Sequence, residues 1–117
     1  MHCFTGSWAQ AEKYLKMGLY LGFNGIIFKM NLDDVIKKTP LEKILIETDC
    51  PYLTPLPAVA SAEAGAQPST RNEPLYVKYI AEKIAKIKNL SDKEIAKIIT
   101  ENAKKLFNLS KVGQFEV

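Results

Sequence analysis

A short apolar run that ends in two acidic residues constrains this chain more than any other stretch. Residues 44–46 are apolar and mostly β-branched, as in a buried strand. Glu47 and Asp49 have the same parity as Leu45, so all three side chains are predicted to project from one face of that strand. Pro51 ends the strand because it has no amide proton to donate. Carboxylates buried at the end of a strand need a partner, a proton or a metal, so the stretch predicts the floor of a site.

The composition is that of a globular domain. The chain has 117 residues, 47% of them hydrophobic and 25% charged, which predicts one domain or a piece of a larger one. We expect no membrane span and no signal peptide. The net charge of +3 is small, and the lysines between residues 78 and 111 alternate with acids, as on solvated helix faces. We therefore expect a cytoplasmic protein that is not itself a basic nucleic-acid-binding module.

Two cysteines lie beside the candidate site residues. Cys3 follows His2, Cys50 follows Asp49, and neither belongs to a CxxC motif. The simplest interpretation is a pair of small buried thiols in a reducing cytosol. A metal site built on both cysteines is the alternative.

The first half of the chain alternates between strand and helix signals. A strand end at the N-terminus leads into a helix that Ser7 caps and Gly18 ends. A strand over residues 19–23 follows. The next helix begins at about Asn31, with acids in its first turn and lysines in its last, and precedes a strand over residues 43–48. This alternation predicts an α/β fold with a parallel sheet, right-handed crossovers and helices covering the strands.

A long loop separates the two halves. Residues 51–72 are rich in proline and alanine, and the part over 56–70 is predicted to be flexible. The tail after Leu109 is predicted to fray.

Two helices are predicted in the second half. Asn72 is expected to cap the first, with Pro74 in its opening turn. The second opens with a capping box from Ser91 to Glu94. Their buried faces are predicted to consist of Tyr76, Ile80, Ile84 and Ile87 in the first helix, and of Ile95, Ile98, Ile99, Ala103 and Leu106 in the second.

The residues alone leave two interpretations of the site open. A lone histidine at position 2 is by default a loose terminal residue. Glu47 could pair with Arg71, and Asp49 could accept amide bonds from its own turn. In the functional interpretation, His2 and Asp49 bind Zn²⁺, Mg²⁺ or Mn²⁺. Asp49 could then also position or deprotonate a metal-bound water.

Four sequence blocks resemble the TatD family of metal-dependent deoxyribonucleases, in the amidohydrolase-like superfamily. They are residues 2–7, 18–25, 47–55 and 71–74, in the family's order and rough spacing, and residues 102–107 match as well. The resemblance implies a (β/α)8 TIM barrel with a dinuclear metal site at the C-terminal ends of its strands. It also implies phosphodiester hydrolysis, with DNA as the substrate of a 3′–5′ exonuclease.

The resemblance also assigns roles to individual residues. His2 matches the family's metal-binding histidine on the sixth strand. Asp49 matches the catalytic aspartate of the eighth strand, which binds metal and handles the attacking water. Glu47, Arg71, Asn72 and Glu73 match motif positions with supporting roles.

The chain is much shorter than such a barrel, which takes roughly 250 residues. It corresponds to about strands six to eight with their helices and the C-terminal helices. The family's His-x-His motif, its glutamate and its other histidine have no counterpart here. A catalytic zinc site needs about three protein ligands, and this chain supplies two. We therefore expect residues 1–117 to be the C-terminal fragment of a barrel, inactive without the missing N-terminal half or a second copy.

Because the chain is too short for a complete barrel, two alternatives remain. A partial barrel leaves strand edges and an apolar face open, so the chain could be a non-catalytic half-barrel that oligomerises through them. In the other alternative, His2 and Asp49 from two copies surround one zinc ion.

Overall fold

Two short parallel strands lie at the centre of the fold. β1 (Leu21–Phe23) and β2 (Ile44–Ile46) pair in a register that sets Gly22 opposite Leu45. The computed structural model describes residues 1–55 and 71–109. The predictions of a flexible 56–70 loop and of a frayed tail after Leu109 lie outside the described residues.

Both strands are shorter than the predicted ranges 19–23 and 43–48. The ladder continues for one bond beyond β2, because the Glu47 amide donates to the Phe23 carbonyl at 3.0 Å. Asp49 has a φ of 55°, so the chain has left the extended conformation before that residue. The prediction that Asp49 belongs to the strand and shares its face is therefore wrong.

The N-terminal residues run along the other edge of β1. The Gly22 amide donates to the Met1 carbonyl at 2.8 Å, and the Phe4 amide donates to the Gly22 carbonyl at 2.9 Å. This is the pattern of a parallel pair with one extra residue, and Cys3 adopts a φ of 48° at that point. The predicted strand end at the N-terminus thus becomes a third parallel segment beside the sheet.

Local capping signals set the first two helices. In α1 (Trp8–Lys16) the Ser7 and Gln10 side chains form a capping box, and Gly18 follows the helix with a φ of 82°. α2 (Asp33–Lys38) has two acids in its first turn and two lysines in its last, as its dipole favours. The predictions for both helices are confirmed.

Two longer helices complete the described fold. α3 (Val77–Lys88) follows a 3-10 turn at Pro74–Tyr76, and α4 (Asp92–Phe107) begins with the predicted capping box of Ser91 and Glu94. The prediction that Asn72 caps α3 is wrong, because its side chain hydrogen-bonds to the turn after β2. Together with the parallel sheet, the helices confirm the α/β class.

The main core lies between the helices and one face of the sheet. Phe4 packs edge-on against Phe23, with ring centroids 6.3 Å apart. The largest fully buried apolar side chains are Leu21, Phe23, Ile27, Ile36, Ile44, Ile80, Ile84 and Ile95. Most of the predicted helix stripes are in this core, but Leu106 is 43% exposed in the last turn of α4, so its predicted burial is wrong.

The other face of the sheet borders an open groove of about 510 Å³. Gly22, Leu45 and Glu47 line it from the sheet side, which confirms that Leu45 and Glu47 share a face. Leu106 and Phe107 of α4 line it as well, and both are exposed. This face, where helix coverage was expected, is therefore bordered by α4 but remains partly open.

The remaining bulk predictions have mixed outcomes. Among residues 1–55 and 71–109, no helix has the length and apolar character needed to cross a bilayer. Both cysteines are free thiols, but Cys50 is exposed, so the prediction of two buried thiols is wrong.

Candidate metal centre

His2 reaches the C-terminal end of β2 because the backbone around it is fixed. The Met1 ammonium group donates to the Tyr20 carbonyl at 2.7 Å, and the Gly22 amide holds the Met1 carbonyl. These bonds keep the N-terminal segment against β1. The imidazole is 64% exposed, but it is held in place at its base, unlike a loose terminal residue.

Glu47 connects three parts of the chain. One carboxylate oxygen lies 2.5 Å from His2 Nδ1, and the other accepts the Cys3 amide at 2.6 Å. That second oxygen also accepts the Asn24 side-chain amide at 3.2 Å. The carboxylate therefore orients the histidine and is itself oriented by two donors.

Two neighbours on β1 make room for this carboxylate. A side chain at Gly22 would place its Cβ 3.1 Å from Glu47 Oε2, so glycine permits the close approach. Asn24 is fully buried, and its Oδ1 accepts the Ile26 amide at 3.0 Å while its NH₂ faces Glu47. Neither residue was predicted. Both lie in the 18–25 block that resembles the family, but the sequence assigned no individual role to either.

The two nitrogens of His2 face different carboxylates. An ionised Glu47 can only accept, so the hydrogen bond at Nδ1 requires a proton on that nitrogen. The Nε2 atom lies 3.6 Å from Asp49 Oδ1, which is too long for a hydrogen bond. In the neutral imidazole with its proton on Nδ1, Nε2 carries the lone pair and is the nitrogen on the side of Asp49.

The geometry fits two positions in a metal shell. Ligand atoms of a tetrahedral zinc site, each about 2.1 Å from the metal, lie about 3.4 Å apart. The separation of 3.6 Å between His2 Nε2 and Asp49 Oδ1 is close to that value. A carboxylate behind the histidine, as Glu47 is here, is the usual outer-shell partner of a metal-binding imidazole.

The described residues do not complete such a shell. Within residues 1–55 and 71–109, no group of three or more His, Cys, Asp or Glu side chains is arranged to hold a metal ion. His2 and Asp49 are thus two suitable donors, and further ligands would have to come from elsewhere.

The other predicted site residues lie at the turn that carries Asp49. Arg71 and Glu73 are exposed and border a cavity of about 500 Å³ together with Cys50 and Pro51. Asn72 is buried beneath them and bonds to the turn itself. The three motif residues therefore lie beside the turn, and Glu47 is the supporting residue that contacts His2.

Comparison with known proteins agrees with the resemblance noted in the sequence. The profile of the family described as "TatD related DNase" matches residues 1–108. An "Uncharacterized metal-dependent hydrolase YabD" of Bacillus subtilis is 47% identical over 113 residues, which are 94% of this chain and 41% of that protein. A "3'-5' ssDNA/RNA exonuclease TatD" of Citrobacter rodentium is 35% identical over 115 residues, again 94% of this chain and 41% of that protein.

A solved structure shows the same likeness in three dimensions. The crystal structure of a hydrolase TatD family protein from Entamoeba histolytica superposes with a TM-score of 0.77 at 27% identity. The match covers 91% of this chain and 40% of that one. The chain thus spans about two fifths of the length of these relatives. With the family profile covering nearly all of it, the chain belongs to the TatD family.

Proposed function

We propose that this chain carries part of the metal site of a TatD-type hydrolase that cleaves phosphodiester bonds in DNA as a 3′–5′ exonuclease. The observation that supports this best is the arrangement of Glu47, His2 and Asp49, with Nε2 of the histidine 3.6 Å from the aspartate. The relative from Citrobacter rodentium, which is named a 3′–5′ ssDNA/RNA exonuclease, supports the choice of substrate.

Each residue has a distinct role in this proposal. His2 Nε2 and the Asp49 carboxylate hold a divalent metal, which is Zn²⁺, Mg²⁺ or Mn²⁺. The metal supplies Lewis-acid stabilisation of negative charge on the phosphate and makes water more acidic. The Asp49 side chain is 37% exposed, so water can reach its carboxylate, which is the group that accepts a proton. Glu47 fixes the tautomer and orientation of His2.

The remaining ligands come from a complementary polypeptide in the proposed enzyme. The three parallel segments fit the sixth to eighth strands of a partial TIM barrel. The groove of about 510 Å³ beside Leu45 and Glu47 is the side on which the rest of such a barrel would pack. The chain alone is therefore inactive, and a partner supplies the other metal ligands. Its two free thiols suit the reducing cytoplasm.

Complementation tests the proposal. The 117-residue chain is mixed with the N-terminal part of the Bacillus subtilis relative, and 3′-labelled single-stranded DNA is assayed with Mn²⁺, Mg²⁺ or Zn²⁺. We expect nuclease activity from the mixture and none from either part. The control is the same mixture made with Asp49→Asn, which should be inactive. A mixture that forms a stable complex but never cleaves DNA would contradict the proposal.

A second candidate function is a non-catalytic half-barrel that oligomerises. The observation that favours it is the exposure of Leu106 and Phe107 beside the apolar groove. Light scattering on the isolated chain decides whether it self-associates, and the metal-to-protein ratio tests a zinc ion shared by two copies. One metal per dimer would support the shared site, and a metal-independent oligomer would support the non-catalytic function.

A further inference from the structure

Asn72 is a buried asparagine whose side chain hydrogen-bonds to the backbone of residues 48, 52 and 73. Its NH₂ group donates to the carbonyls of Thr48 and Tyr52, at 2.6 Å each. Its Oδ1 accepts the Glu73 amide at 2.9 Å, and its own amide donates to the Pro51 carbonyl at 3.1 Å. Both protons of the NH₂ group are thus used, and the two carbonyls that accept them bracket Asp49 in the chain.

The turn that Asn72 holds adopts a conformation with little support of its own. Asp49 and Leu53 have φ values of 55° and 57°, which L-residues rarely adopt. Inside the turn, the Tyr52 amide donates to the Asp49 carbonyl at 3.0 Å. The Thr48 hydroxyl accepts the Cys50 amide at 3.3 Å. The bonds from Asn72 fix the turn from outside at positions 48, 51 and 52.

We propose that Asn72 is a positioning residue, which keeps the Asp49 carboxylate within reach of His2 Nε2 by fixing the turn that carries Asp49. The inference rests on the proposed function for the use of that geometry in metal binding. It gives the Arg71-Asn72-Glu73 motif a physical task, because the buried central residue joins a distant part of the chain to the site.

The alternative is that Asn72 only stabilises the fold and does not position Asp49. Asn102 provides a matched control for this alternative. Asn102 on α4 is also buried, and its NH₂ group donates to the carbonyls of Leu41 and Ile44, at 2.8 and 2.9 Å. The Leu41 carbonyl lies before β2 and the Ile44 carbonyl belongs to its first residue, whereas the carbonyls held by Asn72 follow the strand. Removing either asparagine leaves two carbonyls without their donor, but only Asn72 contacts the turn of Asp49.

The first experiment is amide hydrogen exchange by NMR on the whole chain and on three variants: Asn72→Asp, Asn72→Ala and Asn102→Ala. Asn72→Asp keeps the shape and loses the donors. We expect both Asn72 variants to speed exchange of the Tyr52 amide by about tenfold or more relative to the Ile99 amide in α4. Asn102→Ala should not raise that ratio. An equal rise at Tyr52 and Ile99, or an unchanged Tyr52 rate in Asn72→Asp, would overturn the inference.

The second experiment links the turn to metal binding. Mn²⁺ is titrated into the same proteins, and paramagnetic broadening is followed at the His2 and Asp49 amides. The unmodified chain and Asn102→Ala should lose both signals together, and Asn72→Asp should lose that of His2 first. If the unmodified chain shows no broadening at either residue, it does not hold the metal without its complementary part, and the Tyr52 exchange ratio still decides the role of Asn72. Equal broadening at both residues in Asn72→Asp would overturn the positioning role.

Discussion

At each end of β2 a buried asparagine donates hydrogen bonds to two backbone carbonyls, but the two ends differ in burial and in backbone conformation. At the start of the strand, Asn102 holds the carbonyls of Leu41 and of the fully buried Ile44. After the strand, Asn72 holds two carbonyls of a turn that is partly open to water, where Asp49 adopts a left-handed conformation. The N-terminal end of β2 is packed in the core. The C-terminal end leads into a less favourable backbone conformation, which places the side chains of the candidate site.

Left-handed backbone at a non-glycine residue costs on the order of 1–3 kcal/mol and persists where the surroundings impose it. Aspartate tolerates it better than most residues do. In parallel α/β folds the C-terminal ends of strands carry the chemistry, and the opposite ends carry stability. The difference between the two ends of β2 agrees with that division.

The largest effect is expected at the C-terminal end, from Asp49→Asn. Asparagine also tolerates a positive φ, so the turn should keep its shape while the anionic metal ligand is lost. Activity of the complemented enzyme should fall by more than about a hundredfold, because even outer-shell changes cost roughly 10–100-fold. Nuclease rates are compared with urea unfolding of the same variant. Glu73→Ala, an exposed neighbour, should only weaken activity, and equal losses in the two variants would contradict the roles assigned here.

Glu47→Gln tests the support behind the histidine. Glutamine has a similar shape but cannot act as the anionic acceptor that fixes the proton on Nδ1, so metal affinity should fall by roughly 10–100-fold. Calorimetric titration with Zn²⁺ measures the change. Glu101→Gln on the exposed face of α4 is the control and should bind as the unmodified chain does. An unchanged affinity in Glu47→Gln would mean that His2 does not depend on this carboxylate.

Part of the fold and of the candidate site could be predicted from local sequence signals. His2 and Asp49 were identified through their motifs, α1 through its Ser7 cap, and α4 through a capping box whose partners are three residues apart. Local signals of this kind are written in a short stretch of sequence. Predictions from such signals are readily confirmed, because few other arrangements of the backbone satisfy the same side-chain bonds.

The long-range contacts could not be predicted in the same way. Glu47 meets His2 across 45 positions, and Asn102 meets Leu41 across 61. No local pattern identifies the partner of a buried asparagine, so Asn72 was assigned to a helix cap that its sequence neighbours suggested. The strand parity argument failed at Asp49 for a related reason, since it assumed an extended chain up to the proline.

The N-terminal end of β2 should respond to substitution in stability alone. Asn102→Ala removes two hydrogen bonds and leaves two carbonyls without their donor, so the free energy of unfolding should fall by about 2 kcal/mol. Zinc affinity should not change. Urea unfolding and calorimetric titration of one preparation measure both quantities. A loss of zinc affinity in Asn102→Ala would contradict the account that the N-terminal end of β2 contributes to stability and only the C-terminal end to metal binding.

The smallest effect is expected far from both ends, at the start of α4. Hydrogen bonds from the Ser91 amide, at 2.9 Å, and then from its hydroxyl, at 2.8 Å, hold the pKa of the Glu94 carboxyl below its ordinary value. Because the pKa is lower in the folded chain, this stabilisation is complete above the unfolded pKa of about 4.3 and disappears as pH falls through the folded value. The urea midpoints of the chain and of Glu94→Gln should therefore differ at pH 6 and converge at pH 3. If the two urea midpoints still differ at pH 3, the stabilisation does not depend on the charge of Glu94 but only on the shape of its side chain.

The central claim is that Glu47 presents His2 Nε2 to a metal shared with Asp49. His2 is the only histidine in the chain, so its imidazole gives a single pair of ¹⁵N resonances. Zinc titration followed by ¹⁵N NMR is the most direct test. The Nε2 resonance should shift on metal binding while Nδ1 keeps its proton, and Asp49→Asn should weaken the shift. Metal binding through Nδ1, or no change at either nitrogen, would contradict the claim.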